Sequence, residues 1–465
     1  MKHSLVLLFA LFVAISLART PAEWRSRTIY QLLTDRYART DGSTTPCNDL
    51  GNYCGGTFQG IINNLDYIKG MGFDAIWISP IPANMPGNYH GYAATNIYEI
   101  NPYFGTADDL KNLVKACHEK DIWVMVDVVA NHMGCLSSPN VFNDKYPFNQ
   151  SAYYHTDIDC GNIDPNNQSQ KETCWLAQLA DLNQDNDFVR STLLAWITDI
   201  INTYDIDGLR IDTIPYVSKD FWTEFTQASG VYTVGEVFDS YMPYAAGYQG
   251  PVSGILNYPF FYTLRWVFQQ YNSMNNLQSY YSGATTTWPD ESLLGNFVDN
   301  HDNARFLYYN GDHVAFKAAT AFTLASIGIP IVYYGGEQYY GGGPDPHCRE
   351  PLWTNMDPKS EMYQYLATIN NFRKQTNFTQ YEQVQRYSDD NFYAFTRGNY
   401  FFAFTNTQAA QVRHIAYHPY KDGTVLCNIF WDGDCVTVSG GTFQVSLING
   451  ESKFFAPKQA TTINI

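Results

Sequence analysis

Four short stretches set acids beside bases at spacings that could do chemistry. They are Asp127-Val-Val-Ala-Asn-His132, Gly208-Leu-Arg-Ile-Asp212, Gly235-Glu236-Val237 and Phe297-Val-Asp-Asn-His-Asp302. In the second, Arg210 and Asp212 lie two apart on a strand-like segment and so share a face. Arginine and aspartate are seldom buried unless paired. A neighbouring guanidinium keeps a carboxylate ionised, which suits a nucleophile. A structural ion pair explains that stretch alone equally well. Paired carboxylates with a third acid are the equipment for cleaving a glycosidic bond: one acid protonates the leaving oxygen, and one carboxylate attacks or activates water. Metal-dependent hydrolysis is the competing chemistry. It is disfavoured because no His-x-x-x-His or cysteine-rich ligand set lies within these four stretches and the acids occur singly on separate strands.

Something must bring these stretches to one place. Apolar strand-like runs alternate with helix-like segments: strands near Ile29–Leu33, Asp74–Ser79, Ile122–Val129, 208–212, Tyr232–Val237, Gly254–Asn257, Leu294–Val298 and Ile329–Tyr334. Helices are expected near Ile61–Met71, Ala107–Lys120 (capped by Thr106), Phe188–Thr203, Lys219–Ala228 and Glu361–Thr376. Near-continuous apolar strands between helices mark a parallel sheet buried on both faces, and eight such units make an α/β protein with a (β/α)8 barrel. The active site of such a barrel lies at the C-terminal ends of its strands, where all four stretches fall. Residues 134–183 break the alternation with Asn, Asp, Pro and Tyr and read as an inserted, loop-rich subdomain after the third strand. From residue 380 strand candidates follow one another with almost no helix, which predicts a C-terminal all-β sandwich over 380–465 and a barrel over 19–379.

The net charge of −17 excludes a nucleic-acid ligand and an anionic membrane surface, but not a neutral polymer. The 36 tyrosines fill a large core and also suit a carbohydrate site, because flat rings cover the apolar faces of sugars. Residues 1–18 read as a secretory signal peptide, a basic start and a short apolar run ending Ser16-Leu17-Ala18. A secreted chain is expected to form disulfides, and Cys47 with Cys54, Cys160 with Cys174 and Cys427 with Cys435 are the close pairs. Cys117 is expected buried on a helix, and the states of Cys135 and Cys348 stay open. Asn149, Asn167 and Asn377 begin glycosylation sequons.

The four stretches, together with Gly70-Met-Gly-Phe-Asp-Ala-Ile-Trp-Ile-Ser-Pro80, Tyr89-His-Gly-Tyr92 and Leu179-Ala-Asp-Leu182, closely resemble the secreted α-amylases of the barrel superfamily acting on α-glucans, most nearly the fungal extracellular ones. The resemblance runs from Trp24 into the C-terminal domain, where it thins. It implies Asp212 as nucleophile, Glu236 as general acid then base, and Asp302 as the third, transition-state-stabilising acid. It implies sugar contacts from His90, Tyr92, His132, His301, Asp345 and Arg349, with Arg210 holding Asp212 ionised. It implies a structural Ca2+ held by the side chains of Asn131 and Asp181 and the carbonyls of Glu172 and Tyr216. The expected activity is endo-acting hydrolysis of α-1,4 bonds with retention, by a secreted monomer. An exo-acting α-glucosidase, a glucan transferase or a silent glucan-binding protein are the alternatives. Two departures stand out. Pro215-Tyr216 replaces a Lys-His of the fungal pattern, and Ala93 replaces a tryptophan, which removes stacking area.

Overall fold

The computed structural model describes residues 19–138, 141–156 and 163–458. Eight strands pair in parallel: Ile29–Gln31, Ala75–Ile78, Trp123–Val128, Gly208–Ile211, Tyr232–Gly235, Gly254–Ile255, Gly295–Phe297 and Ile329–Tyr333. The eighth lies between the first and the seventh, and a bridge from Leu256 to Gly295 closes the ring. The expected (β/α)8 barrel is therefore the observed one, with strand ends moved by one or two residues.

The strands are apolar on both faces because alternate residues enter two different cores. Ile29, Trp77, Met125, Val234, Phe297 and Ile331 fill the lumen. Tyr30, Ile76, Val126, Leu209 and Ile211 pack against the surrounding helices. Trp24 plugs the floor, stacked on Tyr232 at 5.4 Å and edge-on to Trp123 at 5.1 Å. A Cβ on Gly208 would come within 2.7 Å of the Trp24 ring, so the fourth strand must start without a side chain. Continuing the same parity up the strands turns Gln31, Asp127, Arg210, Asp212 and Glu236 into the upper end of the lumen.

The helices begin where caps were expected. Thr106 accepts from Asp109 N ahead of Ala107–Glu119, and Ser360 from Tyr363 N ahead of Glu361–Thr376. The single helix expected over Ile61–Met71 is two, Phe58–Asn63 and Leu65–Gly70. Asn64 breaks it, its side chain donating to the Gly60 carbonyl (2.9 Å). An antiparallel pair, His132–Cys135 with Leu179–Asp181, forms the neck of the insertion. A second ribbon, Pro82–Asn84 with Ala94–Ile100, was not expected, and it carries the Tyr89–Tyr92 loop at its tip.

The C-terminal part is a six-stranded antiparallel sheet faced by the ribbon Gln411–Ile415 with Phe443–Leu447. One face of the sheet, with Phe392, Ala394, Phe401 and Phe455, packs on that ribbon, as a sandwich requires. The other, with Tyr393, Phe395, Phe404 and Phe454, packs on the barrel, where the Phe322 ring lies 4.8 Å from Phe404.

Cys47–Cys54 and Cys427–Cys435 are bonded, and Cys117, Cys135 and Cys348 are free, Cys117 buried on its helix. The pairing expected of Cys160, and the signal peptide, lie outside the described residues. Asn149, Asn167 and Asn377 are exposed. Among the described residues no helix is long and apolar enough to cross a membrane.

Candidate active site

Arg210 is the hub of the rim. Its buried guanidinium donates from Nη1 to Asp127 Oδ1 (2.9 Å) and Asp212 Oδ1 (2.7 Å), and its Nη2 lies 2.9 Å from Glu236 Oε1. Register puts Asp127 level with Arg210, so the first of these contacts follows from strand pairing alone. One rigid fork thus holds the Asp212 and Glu236 carboxyls side by side.

The two carboxyls are nonetheless driven apart in acidity. Burial pushes Asp212 up, but the Arg210 guanidinium and His132, 3.7 Å away, outweigh it and hold the carboxyl well below the usual range. Burial dominates at Glu236. Arg210 opposes the rise, Asp212 and Asp302 add to it, and the carboxyl is pushed up to about 8. At neutral pH the pair is one carboxylate and one carboxylic acid, the division of labour that acid–nucleophile chemistry needs.

The backbone at this point is strained. Thr213, β-branched, adopts φ 49°, in the left-handed region, at a cost of about 1–3 kcal/mol. In that conformation its N–H points at Glu236 Oε2 (3.2 Å) and the chain doubles back into the turn Ile214–Tyr216.

Asp302 closes the triangle from the seventh strand's loop. Arg349 Nη2 lies 3.3 Å from its Oδ1, and its backbone N–H donates to Asn300 Oδ1 (3.1 Å). With its side chain 31% exposed against 11% and 10% for Asp212 and Glu236, it is the most open of the three acids. Tyr92 donates to Asp127 Oδ2 (2.7 Å), and its ring stacks parallel to His301 at 5.5 Å and near-parallel to His90 at 5.6 Å. Burial holds both histidines below their ordinary pKa, His90 at about 4. They are neutral donor–acceptors rather than extra cations. Arg349 also pairs with Asp345 (3.1 Å) and donates to the Tyr89 hydroxyl (3.2 Å). Every residue expected to act on the substrate therefore stands at this rim.

The sequence between Gln31 and Arg397 matches the α-amylase catalytic domain, residues 31–397. The chain belongs to the α-amylase family. An α-amylase of Saccharomycopsis fibuligera is 40% identical over 459 residues, covering 94% of this chain and 92% of that one. Alpha-amylase 2 of Schwanniomyces occidentalis is 38% identical, covering 94% and 91%. Among solved structures, an α-amylase from Malbranchea cinnamomea superposes with a TM-score of 0.92 at 37% identity, covering 96% and 99%.

Several residues of this family member's site were missed in the sequence. Gln31 Nε2 lies 2.7 Å from His301 Nδ1, and Trp77 Nε1 donates to Asp127 (3.1 Å). Both were legible as strand-end residues of inward parity. Phe238, two residues past Glu236, is half exposed, its ring 4.5 Å from that of Tyr258. Nothing in the pattern around it marked it. Ala93, expected to remove stacking area, is buried at the start of the ribbon's second strand, its N–H donating to Asn84 Oδ1 (2.7 Å).

Three of the four residues expected to hold calcium converge. Asn131 Oδ1 lies 3.0 Å from Asp181 Oδ1 and 3.2 Å from the Tyr216 carbonyl. Three oxygens at this range repel unless a cation lies among them or the amide is turned to donate. Glu172 is on the adjoining helix Gln168–Thr173. There Gln168 Nε2 bridges its Oε1 (2.7 Å) and the Pro215 carbonyl (2.8 Å).

Proposed function

We propose that the protein is an endo-acting α-amylase that hydrolyses internal α-1,4 bonds of starch, glycogen and maltooligosaccharides with retention. The observation that carries this is the single guanidinium holding the Asp212 and Glu236 carboxyls side by side, and burial that pushes the Glu236 acid up while Asp212 is held low supports it. Arg210 occupies Asp212 Oδ1, which leaves Oδ2 to attack the anomeric carbon. As that bond forms, the glycosidic C–O bond breaks and Glu236 gives its proton to the leaving oxygen. Glu236, now a carboxylate, takes a proton from water, and the water oxygen displaces Asp212. Retention needs the two carboxyls about 5–5.5 Å apart, and one guanidinium gripping both favours such a close pair. Asp302, His132 and His301 surround the reacting sugar, Tyr92 and His90 give it a flat wall, and Asp345 and Arg349 hold it from the eighth strand's loop.

Maltoheptaose blocked at its non-reducing end tests the endo reading. Cleavage of the blocked substrate is expected. Release of glucose only from the unblocked one would make the protein an exo-α-glucosidase, and products longer than the substrate would make it a transferase.

The oxygens of Asn131, Asp181 and Tyr216 fit a hard cation that prefers oxygen ligands. A Ca2+ there, with the Glu172 carbonyl, would brace the neck of the insertion and the strand end that carries His132. It would supply rigidity and no chemistry. Chelation is then expected to lower the melting temperature by about 5 °C or more, and added Ca2+ to restore it. Asp181→Ala should melt low and no longer respond to chelator. A wild-type Tm indifferent to chelator would defeat the calcium reading. The apolar leader and the exposed sequons support a secreted protein, and a monomer is the simplest assembly.

A further inference from the structure

Gln31 ends the first barrel strand, in register with Trp77 on one side and Tyr333 on the other. It is buried, and its amide nitrogen lies 2.7 Å from His301 Nδ1. Its amide oxygen has no hydrogen-bond partner among the described residues. A buried polar atom left alone is costly, so the contact made by the nitrogen is the one that fixes this side chain.

The far side of the imidazole decides which atom donates in that contact. His301 Nε2 lies 2.7 Å from the Tyr92 hydroxyl, and the same hydroxyl donates to Asp127 Oδ2 (2.7 Å). Asp127 Oδ2 is an acceptor there, since Trp77 Nε1 (3.1 Å) and Arg210 Nη1 (3.1 Å) also donate to it. Tyrosine has one hydroxyl hydrogen, and it goes to Asp127. At the His301 contact the hydroxyl therefore accepts, and Nε2 carries a hydrogen. Burial keeps the ring neutral, and a neutral imidazole protonated on Nε2 has a bare Nδ1. That nitrogen can only accept, and the Gln31 amide N–H is its donor. An amide turned the other way would set its oxygen against the Nδ1 lone pair.

The choice of nitrogen matters because Asp302 Oδ2 lies 3.4 Å from Nε2. A hydrogen on Nε2 attracts that carboxylate and offers a donor to a sugar hydroxyl. A bare Nε2 would set its lone pair against the oxygens of Asp302 and Tyr92 together. Other contacts hold the ring without making this choice. Tyr92 stacks parallel to it, Trp77 meets it edge-on at 6.0 Å, and Arg349 Nε donates to the His301 carbonyl (2.8 Å). Stacking sets the plane of an imidazole and is indifferent to which nitrogen is protonated.

We propose that Gln31 is a positioning residue for catalysis, its amide holding His301 as the Nε2–H tautomer so that the ring donates towards the reacting sugar and Asp302. The catalytic consequence rests on the α-amylase reading, whereas the tautomer does not.

Long-range 1H–15N correlation spectra report which imidazole nitrogen is protonated, with the His301 signals identified by their loss in His301→Asn. Wild type is expected to show a hydrogen on Nε2 and a bare Nδ1. A wild-type ring protonated on Nδ1 would overturn the proposal without recourse to any Gln31 variant. Gln31→Met keeps the length of the side chain and removes the donor. It is expected to lower kcat/KM on maltoheptaose about tenfold, and to have almost no further effect when His301 is already asparagine, because it acts through that ring. Losses that simply multiply in the double variant, or a Gln31→Met enzyme that melts lower but keeps wild-type kcat/KM, would reduce Gln31 to a packing residue. A wild type that leaves maltoheptaose intact would overturn the α-amylase reading and the catalytic role with it, while the spectrum still decides the tautomer.

Discussion

Glu236→Gln is expected to lower kcat on starch by about 10³–10⁴-fold, the usual worth of a positioned proton donor. The substitution keeps the shape of the side chain and its contact with Arg210 Nη2, so the loss reports protonation and not collapse. It should fall unevenly across substrates. A maltosyl fluoride leaves as fluoride and needs no proton, so its first step survives. Deglycosylation still lacks a base, and the covalent glycosyl-enzyme should accumulate and be visible as a mass increment.

The pH profile makes the same argument in the wild type. Burial raises the Glu236 pKa to about 8, so the acid is protonated below that pH and lost above it. kcat/KM is expected to fall tenfold per unit above about pH 8. Asp212, held well below the usual carboxylate range, stays ionised far down the scale, so the acid limb belongs to Asp302, which burial raises above the usual value. Glu236→Gln should abolish the alkaline limb. An alkaline limb that persists in the variant would assign it to another group.

Asp212→Asn is expected to be worse, on the order of 10⁵-fold or more, because it removes the nucleophile itself. Here the fluoride does not help, and no glycosyl-enzyme should form on any substrate. Arg210 keeps Asp127 and Glu236 as partners after the change, so the guanidinium is not left buried without an opposite charge. The melting temperature should stay within a few degrees of wild type. A variant that is inactive and still labels covalently would put the nucleophile elsewhere.

Much of this site was legible because it depends on strand parity. Arg210 and Asp212 had to face the same way, and the lumen was the only place for both. Gln31 obeys the same rule and was overlooked because a lone glutamine carries no chemical signature. The Tyr89–Tyr92 ribbon was not legible, since its long strand Ala94–Ile100 mixes buried and exposed positions without a clear period. The left-handed Thr213 could not be foreseen either. A β-branched residue disfavours that conformation, and only the tertiary fit to Glu236 explains it. In the C-terminal domain the failures are instructive. Gln383–Ser388 is half-buried along its whole length, and Lys453–Pro457 sends Phe454 to the barrel and Phe455 to the ribbon. Neither strand shows the alternation that a one-faced strand would.

That two-faced sheet also decides how the molecule comes apart. Phe322 on a barrel helix sits against Tyr393, Phe395 and Phe404, Phe372 reaches Phe454, and Arg397 donates to the Ser326 carbonyl across the seam (2.9 Å). The last strand of the sheet, Lys453–Pro457, comes well after the last barrel helix, Glu361–Thr376, in the sequence. A ribosome must therefore pass that strand before the outer side of these barrel helices is fully covered. Architecture draws two domains here, but packing joins them, and the barrel cannot be fully native until Lys453–Pro457 has arrived.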